Sequence, residues 1–184
     1  PDTVTFHASG VDTTASFSET GTYALPLRAD NGELTASDEF SLTVNPAPPG
    51  AIRVPQDQPT IQAAIDAAQD GDLVLVSPGV YTEQLVLSDK TITLASQFHT
   101  TGDQELIDQT IIDGDGQTVI TVTESVGPET KIIGFTIRNG NDGINASAKL
   151  HILNNRFTGH SDAIDYEAGG GICRDNIFES NSDD

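Results

Sequence analysis

From residue 131 onward the chain runs through one hydrophobic and polar pattern three times. "KIIGFTIRNGNDGI" (131–144), "HILNNRFTGHSDAI" (151–164) and "ICRDNIFESNSDD" (172–184) each open on aliphatic residues and turn at a polar or glycine corner. Each then resumes with an aromatic or aliphatic pair and arrives at an aspartate. Phe157 lies 20 residues after Ile137 and Phe178 lies 21 after Phe157; Asp142, Asp162 and Asp183 keep the same spacing, and Asn155 aligns with Asn176. Short apolar runs repeating near 20 residues predict a coiled solenoid, because one turn cannot bury its own apolar face and stacking on its neighbours does. The longer second interval fits an insertion in "EAGGG" (167–171). Asparagine suits a repeated corner: it tolerates left-handed backbone, and its amide can bond a group one rung away.

Ahead of the repeat, short strands are predicted at 73–77, 83–88, 91–96, 109–113 and 118–123; those at 131–137, 150–157 and 171–178 belong to the repeat itself. One helix is predicted within "DQPTIQAAIDAAQDGD" (57–72), where Ile61, Ala64, Ile65 and Ala68 fall at helical spacing, Pro59 suits a first turn and Gly71 a terminus. A single helix among so many strands excludes an alternating βαβ architecture and leaves an all-β stack. Residues 1–45 read as strands at 14–18, 22–29 and 39–44 with a turn at "DNG" (30–32). Alternation there places Phe17, Tyr23, Leu25, Leu27, Phe40, Leu42 and Val44 on one inner face. Between the two segments, "NPAPPGAIRVP" (45–55) holds four prolines, which fix φ and remove donors; residues 46–55 are therefore expected as an extended linker that cannot join a sheet interior.

Charge changes the picture by exclusion. Eight Lys and Arg face 28 Asp and Glu, a formal charge of −20, which argues against nucleic acid and anionic membranes as partners. Nothing in the sequence approaches a membrane span or a signal peptide, so no membrane insertion is expected. Cys173 is the single cysteine, so no internal disulfide forms, and its strand-like surroundings predict a small buried core residue.

Two resemblances sharpen the expectation. The stretch "TVTFHASGVDTTASFSETGTYALPLRADNGELTASDEFSLTVNP" (3–46) resembles the C-terminal part of a PKD/immunoglobulin-like domain, with Asn31 where that family usually has Asp. Residues 1–45 would then be a partial β-sandwich module. The stretch "VPQDQPTIQAAIDAAQDGDLVLVSPGVYTEQLVL" (54–87), followed by "KTITLAS", "IIDGDG", "GFTIRNGNDGI" and "NNRFTGHSDAIDY", resembles the right-handed parallel β-helix of the pectate-lyase-like superfamily. That likeness covers about residues 51–184. It implies an N-terminal capping helix and makes 56–184 the N-terminal coils of a longer β-helix whose C-terminal coils are missing. Open strand edges at both chain ends are expected to offer pairing surfaces.

The chemistry that these likenesses imply is carbohydrate-directed. The chain is expected to belong to a secreted or cell-surface modular protein of bacterial type that binds an acidic polysaccharide and cleaves it as a lyase or hydrolase; the alternative is a non-enzymatic adhesive or structural stalk. β-Elimination from a uronate needs a proton carrier and a cation to neutralise the carboxylate. His160 and Tyr166 are the candidates for the first, Arg156 and Arg174 for the second, with His151 beside them on an outer face. His7 and His99 have no partner in the pattern. A hydrolase would instead use paired carboxylates, for which Asp162, Asp165, Asp183 and Asp184 are available. Asp142, Asp162, Asp165 and Asp183 also form a carboxylate column that calcium could neutralise, with turn capping as the competing reading. Turn chemistry accounts for Asp113 and Asp115 in "IIDGDGQ" (111–117).

Overall fold

The computed structural model describes residues 4–9, 12–17, 21–30, 35–44, 50–167 and 170–183. The chain divides into two compact units, 1–46 and 47–184. In the first, β1 (Val4–Ser9) pairs antiparallel with β2 (Asp12–Phe17), and β3 (Gly21–Asp30) pairs antiparallel with β4 (Thr35–Val44). The register sets Tyr23 opposite Leu42 and Leu25 opposite Phe40. The expected inner face rests largely on side chains outside the described set, namely Phe17, Leu25, Leu27, Phe40 and Val44. The expected turn at Asn31 and Gly32, together with Pro46, Pro48, Pro49, Gly169 and Asp184, also lies outside the described residues.

The second unit advances in rungs. The first holds β5 (Ala51–Val54) and α1 (Ile61–Ala67). The next holds β6 (Leu73–Val76), β7 (Gly79–Thr82) and β8 (Leu85–Leu87). Then come β9 (Thr93–Ser96), two short helices α2 (Phe98–Thr101) and α3 (Glu105–Gln109), β10 (Thr110–Asp113) and β11 (Ile120–Val122). The repeat itself supplies β12 (Lys131–Ile133), β13 (Thr136–Arg138) and β14 (Asp142–Ala146), then β15 (Leu150–Leu153), β16 (Arg156–Thr158) and β17 (Asp162–Tyr166), and finally β18 (Gly171–Arg174) and β19 (Ile177–Glu179). The strands collect into three sheets, β5-β6-β9-β12-β15-β18, β7-β10-β13-β16-β19 and β8-β11-β14-β17. Every pairing within them is parallel. The unit is mostly β, with parallel strands in stacked sheets, an arrangement compatible with a parallel β-helix.

Parallel register converts the repeat into columns. Tyr81, Ile112, Ile137, Phe157 and Phe178 stand in line on the second sheet, and the rings of Phe157 and Phe178 stack with centroids 5.2 Å apart. Val74, Leu94, Ile132 and Ile152 line the first sheet, and Leu85, Ile120 and Ile144 the third. All of these except Tyr81 and Phe178, which pack against it, belong to one buried cluster. Each fully buried Leu, Ile or Phe contributes about 1.5–3 kcal/mol, so stacking rather than local propensity holds the short strands.

Four expectations need correction. The runs 131–137, 150–157 and 171–178 are each two strands that meet at a left-handed residue: Gly134 (φ 78°), Asn154 (φ 55°) and Asp175 (φ 60°). At Gly134 an added Cβ would come within 2.7 Å of Ser96 Oγ, so only glycine fits that corner. The expected linker ends early, because Ala51–Val54 join β6 as an edge strand; all four prolines fall outside those residues, leaving each N–H in place. Two helical turns at 98–109 were too short for a periodicity to show. They pack against β9, β10 and β13, and Leu75, Ala95 and Ile133, on the outward side of the first sheet by alternation, are buried there. Cys173 is exposed, although it continues the buried Ile132–Ile152 column, because β18 is the last strand of its sheet among the described residues.

Helix α1 buries Ile61, Ala64 and Ile65, and both its ends are tied by side chains from the next rung. Thr60 Oγ1 accepts from Ala63 N, while the two oxygens of Glu83 accept from Ile61 N and Gln62 N at 3.0 Å each. Lys90 Nζ donates to the carbonyls of Ile65 and Asp66 at the other end. These are the groups that a helix leaves without intrahelical partners, and the charges match its dipole. Gln62 in turn covers the edge of β8, accepting from Val86 N and donating to Val86 O. The helix ends at Ala67 rather than Gly71, since Ala68 is already extended and Asp72 Oδ2 takes the N–H of Gln69.

Candidate functional site

Two corners repeat along the rungs, and in each a left-handed residue precedes a residue whose side chain reaches down one rung. At the first corner Asn155 follows Asn154 and Asn176 follows Asp175. Asn155 Oδ1 accepts from Phe135 N and its Nδ2 donates to Ile132 O; Asn176 Oδ1 accepts from Asn155 N and its Nδ2 donates to Ile152 O. At the second corner His160 follows Gly159 and Asn181 follows Ser180. His160 Nδ1 accepts from Gly140 N at 3.2 Å and Nε2 lies 3.0 Å from Ile137 O; Asn181 Oδ1 accepts from His160 N and its Nδ2 donates to Phe157 O. Only the tautomer with its proton on Nε2 serves both bonds. Buried backbone groups are thus paired at both corners, with imidazole standing in for a carboxamide.

That role overturns the outer-face expectation for His160, which is 3 % exposed inside the fold. The other catalytic candidates are dispersed. Tyr166 continues the Ala146 column against the core, and its hydroxyl is buried with no partner among the described residues. Burial, reinforced by the Cys173 thiol, pushes that phenol up to about 12. Arg156 stands on β16 of the second sheet, whereas His151 and Arg174 stand on β15 and β18 of the first. Arg156 is engaged twice, by Asp108 at 2.9 Å and Glu179 at 2.8 Å, and the Glu179 hydrogen bond raises its affinity for the proton. Arg174 pairs with Asp175 at 3.1 Å. Each guanidinium thus already has a carboxylate partner, and the two stand on different sheets.

The carboxylate column stands in register as spaced: Asp142 pairs with Asp162, and Asp162 bridges Asp183. Its members differ in surroundings. Asp142 is nearly buried, with Thr118 Oγ1 donating to one oxygen at 2.7 Å and Asn141 Nδ2 to the other at 2.9 Å, so it ties two turns together. Asp165 accepts from Asn145 Nδ2. Asp162, Asp165 and Asp183, with Ile164, line a hollow of about 250 Å³. Among the described residues no three His, Cys, Asp or Glu side chains converge closely enough to hold a metal ion. In "IIDGDGQ", Asp113 accepts from Arg138 Nε at 2.7 Å, from Asn139 Nδ2 and from the N–H of Asp115. Burial opposes its charge, but those donors hold its carboxyl below the usual range.

Sequence reasoning missed Glu83, Lys90 and Gln62, whose work is visible only across rungs. A signal for the corners was present at three of the four ladder positions: Asn154, Gly159 and Asp175, types that tolerate left-handed backbone, stand directly before Asn155, His160 and Asn176, whereas Ser180 before Asn181 gives no such sign. No protein-family model matches the chain, and neither a curated protein nor a solved structure does.

Proposed function

We propose that residues 47–184 form a right-handed parallel β-helix, closed at one end by α1, that serves as a rigid non-enzymatic scaffold in a secreted or cell-surface modular protein. Residues 1–45 would be the partial PKD/immunoglobulin-like module that precedes it in the chain. The observation that carries this reading is the pair of corner ladders. Side chains that a catalytic groove would present outward, His160 first among them, are spent on joining rung to rung. Rungs locked by buried, mutually paired amides resist bending, which is what a stalk requires. The high negative charge keeps such a surface solvated.

The test is direct. Polygalacturonate, alginate and carrageenan are incubated with the full chain, with and without calcium, and assayed for unsaturated-uronate absorbance and new reducing ends. No product is expected in any arm; release of either product overturns the scaffold reading. The second reading, cleavage of an acidic polysaccharide with calcium, is favoured by the hollow that Asp162, Asp165 and Asp183 line, since a cation there would relieve the repulsion between their carboxylates. Product in the calcium arms alone would establish it.

A further inference from the structure

The insertion that interrupts the regular rungs builds a groove. Helix α3 packs against β10 and β13, where Thr136 Oγ1 donates to Ile107 O at 2.9 Å and Arg156 Nε donates to Asp108 at 2.9 Å. Ile137 faces the core, so alternation turns Thr136 outward, and register continues that outward line to Arg156 on β16 and Ile177 on β19. Between the helix and these rungs lies a groove of about 190 Å³, with Glu105, Ile107 and Asp108 on one side and Arg156, Asp175 and Ile177 on the other. In stacked repeats an insertion stands on one face, and that face is often the one that binds.

The lining combines one sign of charge with an apolar wall. Three of its side chains are carboxylates against one guanidinium, and that guanidinium is already held by Asp108 and, at 2.8 Å, by Glu179. Glu105 is exposed and has no ion-pair partner among the described residues. Ile177, an aliphatic side chain 47 % exposed, forms the apolar wall. A cleft of this kind focuses the field and draws the opposite charge, and the −20 of the whole chain adds to the attraction at longer range. The carboxylates do not converge on a point, since no three of them among the described residues stand close enough to hold a metal ion. Spread charge beside an exposed isoleucine suits a long cationic side chain, whose methylene stem covers apolar surface while its head stays with the carboxylates.

We infer that this groove docks a basic segment of a protein partner, with a lysine or arginine head taken by Glu105 and Asp175 and an aliphatic neighbour resting on Ile177. The double ion pair of Arg156 serves the site indirectly. It ties α3 to the rungs across 48 residues of sequence, so the groove is formed before the partner arrives and less ordering is left for binding to offset. A polyamine offers the same charge but no aliphatic side group for Ile177. The inference goes beyond the scaffold reading: it gives the coil a partner, and it stands whether or not any glycan is cleaved.

The experiment titrates the full, isotopically labelled chain with a capped lysine-leucine-lysine peptide, following the methyl resonances of Ile107 and Ile177. Both signals are expected to move while that of Ile65, buried in helix α1, stays still, and a capped glutamate-leucine-glutamate peptide is expected to move none of them. Glu105→Gln and Asp175→Asn should each weaken binding about two- to five-fold, the yield of removing one exposed charge contact. Asparagine already holds the equivalent left-handed corner at Asn154, so the second variant keeps the turn. Ile177→Thr, which stays β-branched, should weaken binding as well. Glu124→Gln removes the same charge from an exposed turn away from the groove and should leave binding unchanged. No shift with the basic peptide overturns the inference. So does a loss in Glu124→Gln equal to that in Glu105→Gln, which would trace the attraction to the charge of the whole chain. Spermidine binding as tightly as the peptide would make a small polycation the occupant, and a dimer in sedimentation that Ile177→Thr dissociates would make it a second copy; either result overturns the assignment to a basic partner.

Discussion

Asn176 Oδ1 takes two hydrogen bonds from Asn155, one from its backbone N–H at 2.8 Å and one from its side-chain amide at 3.2 Å. Asn155 then hands the pattern down, accepting from Phe135 N at 3.0 Å and donating to Ile132 O at 3.0 Å. A side chain that is 1 % exposed therefore closes the backbone of two rungs at once.

Asn155→Leu keeps the volume and deletes the polar groups. Phe135 N and Ile132 O would be left without partners in the interior, at about 1–3 kcal/mol for each unsatisfied group. Urea denaturation should show a clearly lowered midpoint with little change in slope. A midpoint equal to that of the unmodified protein would mean that the corner asparagine contributes nothing.

His160 sets up a comparison within the same fold, because Asn181 makes the same kind of bonds one rung later. His160→Asn should hold most of the stability, whereas His160→Leu should cost about 1–3 kcal/mol for each of the two buried groups left unpaired, Gly140 N and Ile137 O. The pair of melting temperatures checks this. Equal losses in both variants would show that the ring matters for packing against Phe157, 6.2 Å away, rather than for its nitrogens.

The Asp113–Arg138 contact gives a pH dependence of known sign. Asp113 is depressed in the folded state, so its contribution is fully present above the unfolded carboxyl value of about 3.9 and is lost as pH falls through the lower folded value. Melting temperatures from pH 7 down to pH 2 should fall more steeply for the unmodified chain than for Arg138→Gln, with the difference confined to the acid end. Parallel curves throughout that range would remove Asp113 as a source of acid sensitivity.

The rung order was legible because a repeat is a covalent property of the chain. Once Ile137, Phe157 and Phe178 share a spacing, parallel stacking must set them in one column, and Asp142, Asp162 and Asp183 follow. Helix α1 was legible from the spacing of Ile61, Ala64 and Ile65, although Ala68, which continues that spacing, already lies beyond its end. The corners were half legible: the asparagines stood out, but the left-handed residues before them, which cut each expected strand in two, did not.

What the sequence determined by itself was thus equivalence, meaning which residues occupy like places on successive rungs, since that depends only on distance along the chain. Direction was settled by the tertiary structure alone. Whether His160 points in or out depends on a left-handed turn at Gly159 and on the free N–H of Gly140 beneath it. Whether Arg156 is free depends on Asp108, 48 residues away on an insertion with no periodic signature. Such partners are chosen by packing between rungs and sheets, where burial and charge act through space, and no local pattern encodes the choice.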